Sequence, residues 1–301
     1  MTPELLVCDL AFLGHMCFDE VIPFGGSPVV APGSAVLCGA QAAARVGMSV
    51  GVVTRMSPQD EGILAPLRDL GVAVEVIPTE STTFMRVVHP SANVDEREMY
   101  QLKNAGPFRV SDIPELHARQ VHLAGITDQE FDVAFVRGIK ARGHRLSADM
   151  QDFVRQVDPA TRRISFGDVP AKAEIAGLLD MVKLDVVEAA VLTGTDDLEA
   201  AARTFERWGC PEVVISRADG VLARVKGETL WEPFSNRSSV GRTGRGDTVF
   251  AAYMSRRLDH DPADSLRFAA ALVSLKMEKA GPFSGTLGDV LERMEVKATA
   301  S

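Results

Sequence analysis

Apolar positions along this chain switch between a strand period and a helix period. Leu5 to Gly14 is apolar apart from Asp9 and predicts a buried first strand. Phe18-Asp-Glu-Val-Ile22 predicts a second, more exposed strand, followed by a turn at Phe24-Gly-Gly-Ser-Pro28. Pro32-Gly33-Ser34 then opens an alanine-rich helix to about Val46, Gly47 closes it, and Val50–Thr54 is the next strand. This is a βαβ unit with a hairpin-like excursion in its connection. Between Ala73 and Tyr100 the pattern changes, because Val74–Ile77 and Thr83–His89 alternate or run apolar with no helix between them. An antiparallel patch is expected there. Together with the excursion it predicts a small sheet over residues 15–31 and 73–104, either a flap over a cleft or a decorative hairpin.

Strands and helices then alternate. Gln120–Ala124 reads as a strand, Glu130–Arg142 as a helix, His144–Asp149 as a strand and Ala171–Met181 as a helix. A short strand ends near Lys183-Leu184, Asp196–Trp208 is helical, and Glu212–Ser216, Leu222–Val225 and Thr229–Pro233 are strands. Helices follow Asp247 and cover Ala263–Lys279 and Leu287–Met294. Such alternation predicts one α/β domain over 1–301, with a mostly parallel central sheet sandwiched by helices and a small antiparallel lid. Ligands of such sheets sit at the carboxyl ends of the strands.

Composition narrows the class. At 46% hydrophobic and 24% charged the chain has ample core, and a net charge of -9 argues against a broad nucleic-acid surface. Cys8, Cys17, Cys38 and Cys210 show neither metal-type spacing nor a paired pattern, so a reduced, cytoplasmic compartment is expected. Glu4 and Asp9 interrupt the apolar start, which argues against a signal peptide, and no apolar run reaches the ~18 residues of a membrane span.

Candidate chemistry concentrates at Ser239–Tyr253. Gly241, Gly244 and Gly246 fall inside six residues, Asp247 follows, and Val249, Phe250, Tyr253 and Met254 recur at helical spacing. A glycine turn feeding a helix N-terminus offers unpaired N–H groups and partial positive charge to a phosphate. An aspartate at that mouth is either an ordinary N-cap or a base that takes a proton from a hydroxyl attacking phosphorus. The loop lacks the Gly-Lys-Ser/Thr of a Walker A sequence and the dinucleotide fingerprint.

Several motifs in order resemble the ribokinase-like (PfkB) sugar kinases over nearly the whole chain. Gly241-Arg-Thr-Gly-Arg-Gly-Asp247 resembles the C-terminal signature, usually Asp-Thr-x-Gly-Ala-Gly-Asp, and Pro32-Gly33-Ser34 with Ala42-Ala-Ala-Arg-Val-Gly47 resembles the N-terminal glycine signature. Lys183-Leu-Asp185-Val-Val-Glu188 is similar to the Asn-x-x-Glu segment, and Val213-Val-Ile-Ser216-Arg-Ala-Asp-Gly220 to the nucleotide loop. Val121-His-Leu-Ala-Gly125 and Leu146-Ser-Ala-Asp149-Met-Gln151 fit two intervening strands.

The resemblance implies an ATP-dependent kinase of a hydroxyl on a small sugar or polyol. It implies Asp247 as catalytic base and the amides of Gly244, Arg245 and Gly246 as stabilisers of the transferred phosphate. Arg245 replaces the usual Ala; its side chain either adds charge near the phosphates or turns to solvent or a carboxylate such as Asp219. Glu188 is implied as the Mg2+-associated acid, through water, with Asp185 standing for the usual Asn. Asp19 is implied to hold substrate hydroxyls and Gly33 to admit them. Gln151 and Arg155 follow the Asp149 strand where relatives carry polar residues, Ser216 and Gly220 would line the nucleotide, and Ala270 and Gly281 would flank the adenine. His15 either touches substrate or is a satisfied core histidine.

Departures from the family pattern shape the expectation. Ser34 replaces the second glycine, and Cys38 aligns with an asparagine that binds a sugar hydroxyl, so the pocket is not that of a ribokinase. Gly241 replaces an aspartate linked to a monovalent-cation loop, which weakens the case for K+. Unusual sugars, inositol-like polyols and nucleosides stay open as substrates; for a nucleoside, Met16, Phe18, Phe84 and Met85 would form the clamp. A catalytically silent binding or regulatory homologue is the alternative of another class. A homodimer paired through the lid is expected by analogy.

Overall fold

The computed structural model describes residues 5–93 and 96–298. Its strands are β1 (Leu6–Leu13), β2 (Cys17–Ile22), β3 (Val29–Gly33), β4 (Val50–Met56), β5 (Ala73–Pro78), β6 (Thr83–Val88), β7 (Glu98–Lys103), β8 (Leu116–Leu123), β9 (Leu146–Asp149), β10 (Arg155–Val157), β11 (Ile164–Phe166), β12 (Met181–Asp185), β13 (Glu212–Ser216), β14 (Gly220–Val225) and β15 (Glu228–Pro233). Helical segments are α1 (Ala35–Arg45), α2 (Ala65–Arg68), α3 (Val133–Ala141), α4 (Gln151–Val154), α5 (Lys172–Leu178), α6 (Val186–Thr193), α7 (Leu198–Arg207), α8 (Arg245–Arg257), α9 (Pro262–Met277) and α10 (Leu287–Ala298).

The main sheet runs β15-β14-β13-β12-β9-β8-β1-β4-β5 and is parallel from β13 to β5. β14 pairs antiparallel with both β13 and β15, so among the described strands of this sheet it alone runs against the rest. Period-two alternation divides its side chains between two cores. Leu10 and Phe12 of β1 join α1, α8 and α9 on one face, while Ala11 and Leu13 join α3, α5 and α7 on the other. Ala35, Ala40, Ala42 and Ala43 of α1 are buried, so this helix lies close against α8. Among the described residues no helix is long and apolar enough to cross a membrane.

The small sheet has the order β3-β2-β6-β7. Two features differ from the expected antiparallel patch. Val74–Ile77 lies in β5, which pairs in parallel with β4 as the edge of the main sheet. Its burial alternates because an edge strand is covered on one face only. Second, β2 and β6 run parallel, so two antiparallel hairpins meet along a parallel seam. Pro32 and Gly33 end strand β3, and helix α1 starts only after Ser34, which caps it by accepting from the Leu37 amide at 3.0 Å. Ser34 holds φ at 135°, a setting that favours the glycine it replaces.

Candidate active site

The carboxyl ends of β1, β8, β9, β12 and β13 are neighbours in the sheet, and the candidate residues gather above them. The glycine loop comes first. Gly244 caps α8 at φ 75°, and Asp247 lies in the first helical turn. The loop is closed in on three sides. A methyl group at Gly241 would overlap the Lys279 carbonyl, one at Gly244 the Cys38 thiol, and one at Gly246 would lie 2.9 Å from the Lys183 ammonium. Lys276 Nζ donates to the carbonyl oxygens of Gly241 and Thr243, and the Gly241 amide donates to Met277 O at 2.9 Å. The side chain of Arg245 lies in the fields of Asp219 and Lys276.

Beneath the loop is a buried charged cluster. Lys183 Nζ lies 2.8 Å from Asp149 Oδ2 and 3.8 Å from Glu188 Oε2. Burial alone would lower the Lys183 pKa, but Asp149, Glu188, Asp247 and Asp185 outweigh it and keep the ammonium charged. Burial pushes Glu188 up to about 8 against the pull of Lys183. Asp185 Oδ1 accepts from the Val187 and Glu188 amides while Glu188 Oε2 accepts from the Asp185 amide, a reciprocal capping box at the start of α6. Asn and Asp cap helices equally well, which accounts for Asp185 at an asparagine position. Glu188 Oε1 is left buried with no hydrogen-bond partner, and Arg155 Nη2 stands 3.8 Å from it. Among the described residues no group of three or more His, Cys, Asp or Glu can hold a metal.

On the small-sheet side, Asp19 folds back over Gly33, where a methyl group would overlap its carboxylate. Burial raises the Asp19 pKa, Asp247 raises it further, and Arg155 opposes both. Cys17 Sγ donates to Asp19 Oδ1 at 3.3 Å. Burial pushes the Cys38 thiol up to about 12, so it stays neutral beside Gly244 and Asp247. His15 is fully buried: its Nδ1 accepts from Thr83 Oγ1 at 2.8 Å and its Nε2 donates to Gly106 O at 2.9 Å, a set that fits the neutral ring. It therefore ties β6 to the body as a satisfied core histidine. Gln151 is also buried, and its Nε2 donates to Gly125 O at 2.8 Å, bracing the ends of β8 and β9.

Asp152 carried no sequence signal, yet it is fully buried with both carboxyl oxygens unpartnered, over Gly125. Burial, then the charges of Glu130, Asp149 and Asp128, raise its pKa well above the usual range. An acid whose pKa is raised in the folded state adds stability only below its unfolded pKa of about 4 and loses it as pH rises. Asp152→Asn should thus melt higher than the wild type at neutral pH, the gap closing toward about pH 4. Thermal melts across that range check this, and a gap independent of pH would contradict it.

The residues assigned to the nucleotide lie on β13, β14, α9 and the turn beyond it. Ser216 is buried at the end of β13, its hydroxyl 3.9 Å from where a methyl on Gly246 would lie. Gly220 is covered by the Trp231 indole, over which Arg217 stacks at 4.7 Å. Ala270 is buried inside α9 with its carbonyl taken by Ser274, and Gly281 lies on the exposed turn beyond, at φ 83°. The segment after β15 is stitched to α9 and α10. Ser235 N donates to Ser274 Oγ at 2.8 Å, Arg237 N to Glu278 Oε1 at 2.9 Å, and Arg293 bonds both Ser235 O and Glu278.

Known proteins share this fold. A pyrophosphate-dependent kinase in the ribokinase family, solved as a sulfate complex, is 30% identical with a TM-score of 0.87, over 94% of this chain and 99% of that one. A pyrophosphate-dependent kinase in the ribokinase family complexed with a pyrophosphate analog and myo-inositol is 28% identical with a TM-score of 0.86, over the same shares. The cytidine kinase of Thermococcus kodakarensis is 28% identical over 258 residues, 82% of this chain and 87% of that protein. The fold is ribokinase-like, and the chain is a phosphotransferase acting on a hydroxyl. With the profile of the pfkB family carbohydrate kinases matching residues 8–286, the chain belongs to that family.

Proposed function

We propose that this protein transfers a phosphoryl group from pyrophosphate to a hydroxyl of a cyclic polyol, with myo-inositol the first acceptor to test. The observation that carries the reading is the convergence of Asp247, the α8 N-terminus, the Lys183–Asp149 pair and the Asp19–Gly33 contact at one edge of the sheet. Asp247 takes the proton of the acceptor hydroxyl, whose oxygen bonds to phosphorus as the bond to the departing phosphate breaks. The amides of Gly244 and Gly246, with Lys183 below them, hold the charge that builds on the transferred group, whereas the Arg245 amide already donates to Arg242 O at 3.1 Å. Asp19 accepts hydrogen bonds from acceptor hydroxyls, and the small sheet serves as a lid that excludes water.

Pyrophosphate is favoured over ATP on two grounds. Trp231 covers Gly220, so a base at that assigned nucleotide position would have to displace the indole. The two solved structures of a pyrophosphate-dependent kinase in the ribokinase family support this choice. The acid pair suits Mg2+ held mainly by water and donor oxygens, since Glu188 Oε1 has no hydrogen-bond partner. Such an ion would neutralise charge on the donor. A nucleoside acceptor is the second reading, favoured by the cytidine kinase relative and by Phe18 and Phe84, whose rings lie 6.3 Å apart on adjacent strands.

A panel assay decides among these. Purified protein with Mg2+ is given pyrophosphate or ATP together with myo-inositol, other cyclitols, ribose, fructose or cytidine. Transfer from pyrophosphate to a cyclitol is expected. Turnover confined to cytidine would replace this reading by the nucleoside one, turnover with ATP alone would refute the donor assignment, and none with any pair would favour a silent homologue.

A further inference from the structure

On the kinase reading above, we propose that Arg97 and Arg155 form a clamp of two guanidinium groups for the donor phosphate that departs, so that donor binding draws the lid shut. The two arginines come from different parts of the fold. Arg155 opens the β10–β11 hairpin, opposite Phe166. Tyr100 of β7 bridges Arg163 in antiparallel register, and Glu98 pairs with Arg163 at 3.2 Å. Continuing that register toward the start of β7 sets Arg97 level with Phe166, and so level with Arg155. The lid and the hairpin thereby deliver one arginine each to the same place.

That place is the acid pair at the end of β12. Arg155 Nη2 is 3.8 Å from the unpartnered Glu188 Oε1, and Arg155 Nε is itself buried without a partner. Arg97 is exposed, so it stands in an open cleft rather than in the core. Burial by the cleft walls lowers its pKa, as do the charges of Arg155 and Arg242, while Asp185 and Glu188 act in the opposite sense. Cationic groups from the lid, the hairpin and the glycine loop thus surround two carboxylates. Arginine forks match phosphate oxygens two at a time, and a compact polyanion bridging them would relieve the mutual repulsion. Asp19, on the acceptor side, lies in the field of Arg155, so Arg155 spans both sides, whereas the charges acting on Arg97, apart from Arg155, are Asp185, Glu188 and Arg242 of the glycine loop, and this assigns the Arg97 arm of the clamp to the donor.

The test compares wild type with Arg97→Met and Arg97→Lys. Steady-state KM is measured for each substrate with the other saturating, and calorimetry measures binding of inorganic pyrophosphate alone. Loss of a charge-assisted contact should raise the donor KM of Arg97→Met about 10- to 100-fold and weaken pyrophosphate binding alike, leaving the acceptor KM unchanged. Arg97→Lys should fall between, and melting temperatures should agree because Arg97 is exposed. An unchanged donor KM, or a rise in acceptor KM alone, which would mean a phosphate carried by the acceptor, overturns the clamp. If the wild type turns over no pair, the kinase reading fails, while pyrophosphate calorimetry on the same variants still decides the clamp.

Discussion

Asp247→Ala should lower kcat by about 10³- to 10⁴-fold at saturating acceptor, the upper range for a positioned general base. On the proposed mechanism, this loss should fall in the chemical step for two reasons. Asp247 lies in the first turn of α8 beside the amides assigned to the transferred phosphate. Its charge also raises the pKa of both Asp19 and Asp149, so it stands between the acceptor side and the buried cluster. The fold should survive the change. A carboxylate at a helix N-terminus contributes about 0.3–1 kcal/mol, and removing it here also relieves repulsion with two other acids. Asp247→Asn keeps the shape but cannot accept the proton, so it should be about as inactive as alanine. The acceptor KM should change little in either variant, because Asp19 and Gly33 remain. Single-turnover measurement checks that the loss lies in chemistry; a variant keeping a tenth of wild-type kcat would remove Asp247 from the role of base.

Why this site could be read from residue order is physical. A glycine turn, an acid and a helix start are local features, and local features leave local patterns. Gly241, Gly244 and Gly246 mark three close approaches, to Lys279, Cys38 and Lys183, that no larger residue tolerates without displacement. The β10–β11 hairpin, in contrast, consists of strands of three residues each, too short to show a period. Strand β5 reads as an alternating strand wherever it lies, and its place in the main sheet is set by pairing with β4. Lys183 and Asp149 are 34 positions apart and meet only because β9 and β12 are neighbours. A lysine inside an otherwise apolar strand, Met181-Val-Lys183-Leu, is a signal that an acid must be near, yet it does not say which one. Asp152 and Arg97 have no pattern at all, since their settings depend on Gly125 and on the lid register.

Lys183→Met should destabilise the protein by about 3–5 kcal/mol, because it leaves Asp149 buried without its partner. Both side chains are almost wholly removed from water, at 3% and 2% exposure, so solvent cannot take the place of the ammonium. Part of the cost can be escaped by protonating Asp149, whose pKa burial already raises. The destabilisation should therefore shrink toward acid pH, where the proton is supplied without cost in charge. Asp149→Asn combined with Lys183→Met removes both charges and should recover much of the lost stability, as paired replacements of buried ions do. Activity should not recover with it. The Lys183 ammonium lies directly under Gly246, where it adds to the positive field of the helix terminus, and no rearrangement of the pair restores that charge. Denaturant melts and kcat on the single and double variants separate the two effects. A stable, inactive double variant is expected; a single variant destabilised by less than about 1 kcal/mol would mean that the pair is open to water, and a fully active double variant would mean that its charge serves only the fold.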